Sequence, residues 1–144
     1  MKSVNEMKLS FPSKSCNEAF ARSAVAAFIM NLDPTVNELS DLKTAVSEAV
    51  TNSIVHGYRR QSGVIYISGR ILESGRVTVK IRDKGCGIAD VEQAMQPLFT
   101  TAADEERAGL GFAVMQSFCD KVRVTSTVGK GTTVTLEKLI GADD

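Results

Sequence analysis

The sequence predicts an α+β two-layer sandwich: an antiparallel-dominated mixed sheet with helices on one face. Three observations carry this prediction. Two long helical patterns come early, over residues 15–32 and 35–56. Strand-like runs joined by hairpin turns fill most of the rest, without the strand–helix–strand alternation that builds a doubly wound parallel sheet. The 144 residues fit one compact domain, 1–144, and leave little room for a second.

Each element has a local cause. Met7, Leu9 and Phe11 alternate with Lys8 and Ser10, and Pro12 stops the run, so a short strand is expected there. Ser15 and Glu18 have capping-box spacing, and Phe20, Ala24, Ala27, Phe28 and Leu32 follow at helical period. Asp33-Pro34 ends that helix, because a residue before proline is pushed out of the α region. Thr35 and Glu38 form a second capping box, opening a helix expected to run to His56 with Gly57 as its C-cap. Leu39, Leu42, Val46, Ala49, Val50 and Ser53 share its apolar face. Residues 64–71 and 76–82 form one predicted hairpin around Glu73-Ser74-Gly75, and 121–127 and 132–138 another around Gly129-Lys130-Gly131. Between them, Ala89–Met95 is a short predicted helix. Gln96–Ala108 has no period, and Gly109–Cys119 reads as a helix that starts with glycines.

Composition excludes several functional classes. Lys+Arg and Asp+Glu both number 17, so bulk electrostatics do not favour nucleic acid or an anionic membrane as partner. A hydrophobic fraction of 43% with 24% charged residues is ordinary for a folded globular chain. No apolar run reaches the ~20 residues of a membrane span, and the N-terminus lacks a secretory h-region, so a cytoplasmic location is expected. Cys16, Cys86 and Cys119 are odd in number and widely spaced, which argues against a disulfide framework or structural zinc.

Four segments carry candidate chemistry. Glu48 and Asn52 sit four apart, roughly 40° from each other around a helix and off its apolar side. That places a carboxylate able to orient a proton beside a carboxamide oxygen able to meet Mg²⁺, although an exposed polar face has the same pattern. Asp83-Lys84-Gly85-Cys86-Gly87 follows a strand directly. Its carboxylate could accept from an exocyclic amine while glycines let a planar base approach, and a simple turn would also suit it. Arg107-Ala108-Gly109-Leu110-Gly111 leads into a helix, where free N–H groups and a guanidinium would hold an anion. No G-x-x-x-x-G-K-[ST] loop is present. Gly131-Thr132-Thr133 opens the last strand.

Singly these are weak signals. In this order and spacing, the chain resembles the GHKL superfamily of ATP-binding domains, the gyrase, Hsp90, histidine-kinase and MutL group. Glu48–Asn52 matches the N box, Asp83-x-Gly85-x-Gly87 the first glycine box, Gly109-Leu110-Gly111 the second, and Gly131-Thr132-Thr133 the last. Leu32–Thr35, Ser47–Asn52, Ile54–Tyr58, Gln96–Thr101 and Arg107–Phe112 further resemble the anti-sigma F branch from sporulating bacteria, over roughly the whole chain.

That resemblance implies a Bergerat-type fold binding ATP or ADP with Mg²⁺. It implies a protein-serine kinase that inhibits a sigma factor of the sigma F type and phosphorylates an anti-anti-sigma partner. Carried over by residue, it makes Glu48 the general base, Asn52 the Mg²⁺ ligand and Asp83 the adenine contact. Gly85, Gly87 and Thr132 would line the base. Arg107, Gly109, Leu110 and Gly111 would meet the phosphates, with Thr100, Thr101 and Arg107 in a lid over residues 96–108. It also implies a homodimer, for which Met7, Leu9 and Phe11 offer an edge strand. Glu18 and Arg22, on a helix free of nucleotide motifs, are the expected sigma-binding pair, or else simply pair with each other.

Other readings stay open at this point. A nucleotide-gated binding module or slow ATPase without kinase activity would use the same motifs. A histidine autokinase needs a phosphoacceptor histidine on a two-helix dimerisation domain, whereas His56 here ends the N-box helix. An Hsp90- or MutL-type ATPase needs a longer chain with a transducer domain.

Overall fold

The computed structural model describes residues 2–95 and 103–141, with the backbone alone for 103–109. The order of elements is β1 (Ser3–Pro12), α1 (Asn17–Ile29), α2 (Val36–Asn52), a π-helical turn (Ser53–Gly57), β2 (Val64–Leu72), β3 (Arg76–Asp83), α3 (Val91–Ala94), α4 (Ala103–Phe118), β4 (Lys121–Thr127) and β5 (Gly131–Leu139). The five strands form one sheet in the order β1-β2-β3-β5-β4. Each of its pairings is antiparallel, so the expected antiparallel dominance is complete among the described strands.

Alternation in the strands decides which face is covered. Ile65, Ile67 and Ile71 of β2 and Val77, Val79 and Ile81 of β3 are fully or almost fully buried. They meet Ala21, Val25 and Ile29 of α1, Leu42, Ala45, Val46, Ala49 and Val50 of α2, and Phe112 and Met115 of α4 in one core cluster. The other face carries Lys8, Arg70, Lys80, Arg82 and Arg123, all exposed. β1 adds to its own sheet by pairing with β2, Leu9 opposite Ile67 and Phe11 opposite Ile65. Among the described residues no helix is long and apolar enough to cross a membrane.

The helix ends correct the sequence reading in part. Thr35 Oγ1 accepts the Glu38 N–H at 3.0 Å, and the Glu38 carboxylate accepts the Thr35 N–H at 2.9 Å, the reciprocal box expected from the sequence. The Ser15–Glu18 box does not form. α1 starts after Cys16 with no side-chain cap, and the Glu18 carboxylate turns instead to Arg22 and to the Thr51 hydroxyl of α2. The pattern read to Leu32 ends in a 3₁₀ turn over Met30–Leu32, closed by Asp33 at φ 53°. Gly57 is not a left-handed cap either. The helix widens into the π turn, with the Tyr58 N–H bonding the Ser53 carbonyl at 2.8 Å, and Arg59 and Arg60 take the positive φ.

The capping box sets where α2 begins, and therefore the phase of the residues it presents. Thr35→Ala should cost about 1 kcal/mol of folding stability, the usual worth of such a cap, read as a lower urea midpoint with unchanged m-value.

Candidate functional site

α2 holds the first pair. Its apolar face is locked into the core by Leu42, Val46 and Val50, which turns Glu48 and Asn52 toward α4. There Gly111 comes so close that a methyl group on it would lie 3.0 Å from the Glu48 carboxylate and 3.4 Å from the Asn52 carboxamide. Burial, and secondarily the negative charge of Glu18, raises the Glu48 pKa above its ordinary 4.5. Asn52 Nδ2 is buried and has no hydrogen-bond partner among the described residues. Native interiors rarely leave such an atom unsatisfied, so this carboxamide points to a ligand.

The second group lies where β3 ends. Asp83 is 4% exposed, and burial raises its pKa above the ordinary 3.8. Hydrogen bonds from the Gly85 N–H, the Ser53 hydroxyl and the Thr132 backbone partly offset that cost. The carboxylate fits because Gly57 has no side chain: a Cβ there would lie 2.8 Å from it. Register places Thr132 directly opposite Asp83 across β3 and β5. Ser126 Oγ accepts the Ile88 N–H at 2.7 Å, donates to the Gly131 carbonyl and lies 2.8 Å from Thr132 Oγ1. With that proton committed, the Thr132 hydroxyl donates to Ser126 and its oxygen retains accepting capacity. Gly87 turns the loop at φ 77°, where a side chain would also meet the Thr127 carbonyl.

Both groups line one cavity of about 840 Å³, within the range of small-molecule sites. Asn52, Ser53, Asp83, Gly87 and Thr132 form polar parts of its wall, and Val55, Ile88, Phe112 and Val134 apolar ones. An acceptor buried at one end, an apolar slot and an orphaned carboxamide suit a flat heterocycle with a polar tail. Among the described residues no cluster of three or more His, Cys, Asp or Glu could hold a metal ion by itself. The carboxamide oxygen of Asn52 is nevertheless a hard donor of the kind Mg²⁺ takes when phosphates supply most of its other ligands.

Several expected residues are placed differently or not at all. Gly109, Leu110 and Gly111 do not precede a helix, because α4 already begins at Ala103. Ala103-Asp-Glu-Glu-Arg-Ala is a run of good helix formers with acids in the first turn, and it overrides the later glycines. Thr100, Thr101 and most of the expected 96–108 lid lie outside the described residues, as does the side chain of Arg107. Glu18 and Arg22 pair at 3.3 Å and also reach α2, Arg22 to the Ser47 hydroxyl at 3.1 Å and Glu18 to Thr51 at 2.9 Å. They flank the Glu48 region and do not line the cavity.

Sequence reasoning missed Ser53, Gly57 and Ser126. A serine on the apolar face of α2 was the available signal for the first, since a buried hydroxyl needs a partner. The partners of Gly57 and Ser126 come from distant segments and leave no local pattern.

The profile of the histidine kinase-like ATPase domain family matches residues 11–138. The chain is 55% identical over 143 residues to the anti-sigma F factor of Thermoanaerobacter sp. (strain X514), covering 99% of each. It is 58% identical over 137 residues to the anti-sigma F factor of Caldanaerobacter subterraneus subsp. tengcongensis, covering 95% of each. Among solved structures, that of the RsbU and RsbW domains of a Mycobacterium tuberculosis protein aligns with TM-score 0.69 at 18% identity, over 95% of this chain and 33% of that one. A blue-light activated histidine kinase of Erythrobacter litoralis aligns with TM-score 0.57 at 23% identity, over 76% of this chain and 32% of that one. At such identities the likeness is one of fold.

The raised pKa of Asp83 has a definite sign for stability. A carboxyl whose folded pKa exceeds its unfolded one is stabilised as pH falls through the folded value, and that gain is absent above it. Asp83→Asn should therefore retain or exceed wild-type stability at pH 7. Wild type should gain relative to the variant as pH drops toward 4, measured by urea unfolding at each pH.

Proposed function

Because the chain belongs to the histidine kinase-like ATPase domain family, and within it to the anti-sigma F factor group, we propose that it binds Mg·ATP, holds a sigma factor of the sigma F type inactive, and phosphorylates a serine of an anti-anti-sigma protein. The observation that carries this reading is one cavity joining a buried carboxylate, Asp83, to the orphaned carboxamide of Asn52, with Glu48 one turn before it on α2.

In this reading the adenine amine donates to Asp83, and Gly85, Gly87 and Thr132 border the ring. The cavity wall between Ile88 and Phe112 excludes water from its faces. Asn52 would hold Mg²⁺ through its oxygen, and the ion supplies neutralisation of phosphate charge when bound. Thr100, Thr101, Arg107, Gly109, Leu110 and Gly111 are the proposed phosphate contacts. Such contacts at 109–111 require this stretch of α4 to present its N–H groups to the ligand. ADP would occupy the same site. Phosphoryl transfer asks for positioning and charge stabilisation above all. Glu48 would take the proton of the attacking serine hydroxyl, a role suited to a carboxyl whose pKa is held above its ordinary range. Glu18 and Arg22 would meet the sigma factor on α1, and the free edge of β1 would pair two copies across a two-fold axis.

Glu48→Gln should lower transfer of labelled phosphate to the anti-anti-sigma serine by about 10²–10⁴-fold and spare ATP binding. Retained transfer would remove the base role. ATP binding with no transfer by the wild type would favour a nucleotide-gated module or slow ATPase. Asp83→Asn should weaken ATP by about 10–100-fold, the worth of a hydrogen bond to a charged group.

The pairing of Arg22 with Glu18 and Ser47 gives a separate test of the partner surface. Arg22→Glu should weaken capture of the sigma factor at least tenfold in a pull-down titration, at unchanged ATP affinity. Unaffected capture would place the surface elsewhere.

A further inference from the structure

The loop that carries Asp83 needs to be held still if its carboxylate is to select a base, and its own residues do little of that. Residues 84–87 have no regular structure, and two of them are glycines. The hold comes from Tyr58, which is not part of the cavity wall. The Tyr58 hydroxyl donates to the Val64 carbonyl at the start of β2 and accepts the Lys84 N–H at 2.8 Å. One oxygen thus joins the segment after α2, the first residue of β2 and the residue next to Asp83.

Other contacts fix the tyrosine and the loop from both sides. The Tyr58 N–H closes the π turn on Ser53, itself a partner of Asp83. A side chain at Gly63 would collide with the Tyr58 ring, and Gly63 cannot swing away, because Ser13 binds both its N–H and its carbonyl. The Cys86 N–H bonds the Gly57 carbonyl at 2.9 Å, and the Lys84 ammonium lies 5.0 Å from the Tyr66 ring centre. Immediately after Tyr58, Arg59 and Arg60 both hold positive φ, 53° and 64°. Two successive non-glycine residues in that region persist only where surrounding structure over-determines them.

We infer that Tyr58 is a positioning residue for base recognition, setting the Asp83–Gly85 loop through its hydroxyl bridge to Lys84 and Val64. This rests on the reading of the cavity as an adenine-nucleotide site. Its action is on the base end alone, so it differs from Asn52 and Glu48 in what it should change.

The test uses the full chain with adenosine, ADP and ATP as probes, and amide hydrogen exchange at Lys84 without any ligand. Tyr58→Phe keeps the ring and removes the bridge. All three ligands should weaken by one common factor of about tenfold, about 1.4 kcal/mol, while the transfer rate at saturating ATP stays within about twofold. Exchange at Lys84 should quicken. Gly63→Ala, which pushes the ring by a different route, should produce the same pattern. The double variant should show less than the product of the two effects, since both act on one bridge. Adenosine affinity within twofold of wild type in Tyr58→Phe, or a loss for ATP that adenosine does not share, overturns the assignment. A wild type that binds neither adenosine nor ATP overturns the nucleotide reading itself. Unchanged Lys84 exchange in Tyr58→Phe then overturns the bridge as well.

Discussion

A carboxylate taken out of water organises this molecule. Asp83 is buried at the end of β3, and an ion in such a place must be hydrogen-bonded or give up its charge. Its partners come from three directions: Ser53 at the end of α2, Gly85 two residues on, and Thr132 across the ladder in β5. Satisfying them all fixes how far α2 may run, where β3 must stop and the register in which β5 lies. Gly57 completes the arrangement by leaving room for the carboxylate. The cost of that burial is visible in the raised pKa, and a site that keeps a destabilised charge is commonly one with a use for it.

The two ends of the cavity differ in kind. At the Asp83 end every donor and acceptor is fixed by the protein before any ligand arrives. At the Asn52 end a buried carboxamide lacks a partner, and Glu48 sits partly desolvated beside a glycine of α4. One end is therefore built for selection by shape and hydrogen bonding, and the other for charge that comes with the ligand. α1 touches the second end from behind. Thr51 and Ser47, neighbours of Asn52 and Glu48 in sequence, bond Glu18 and Arg22. A surface that meets a partner protein and a helix that meets a nucleotide thus share two hydrogen bonds.

What could be read without coordinates follows from the range of the forces involved. The Thr35–Glu38 box is visible because both partners lie within one turn and have no competitor. The strands are visible because Val77, Val79 and Ile81 alternate against Thr78, Lys80 and Arg82, and one buried face demands that alternation. Ser15–Glu18 has the same local spacing, yet its carboxylate is claimed by Thr51 and Arg22 through tertiary contact. Gly57 was read as a helix cap because a glycine after a helix usually is one; its cause is a clash with Asp83, remote in sequence. The start of α4 was misplaced because glycines weigh against a helix locally, while the preceding run and packing on α2 favour it. Tyr58 carries no motif at all, since its partners are backbone groups that any sequence would supply.

The π turn at Ser53–Gly57 bears on how chains of this kind can change length. Such a turn accommodates one residue more than an α-helix of the same rise, so residue count and direction are linked within it. Removing one residue from 53–57 would rotate everything after it by about 100° about the helix axis. Gly57 would leave its place beneath Asp83, and Tyr58 its place beside Lys84. The hairpin loop around Gly129 has no such coupling, because a Cβ at Gly129 would meet nothing within 4 Å. Insertions and deletions are thus absorbed readily at the far hairpin and excluded at the end of α2, whatever side chains the two segments carry.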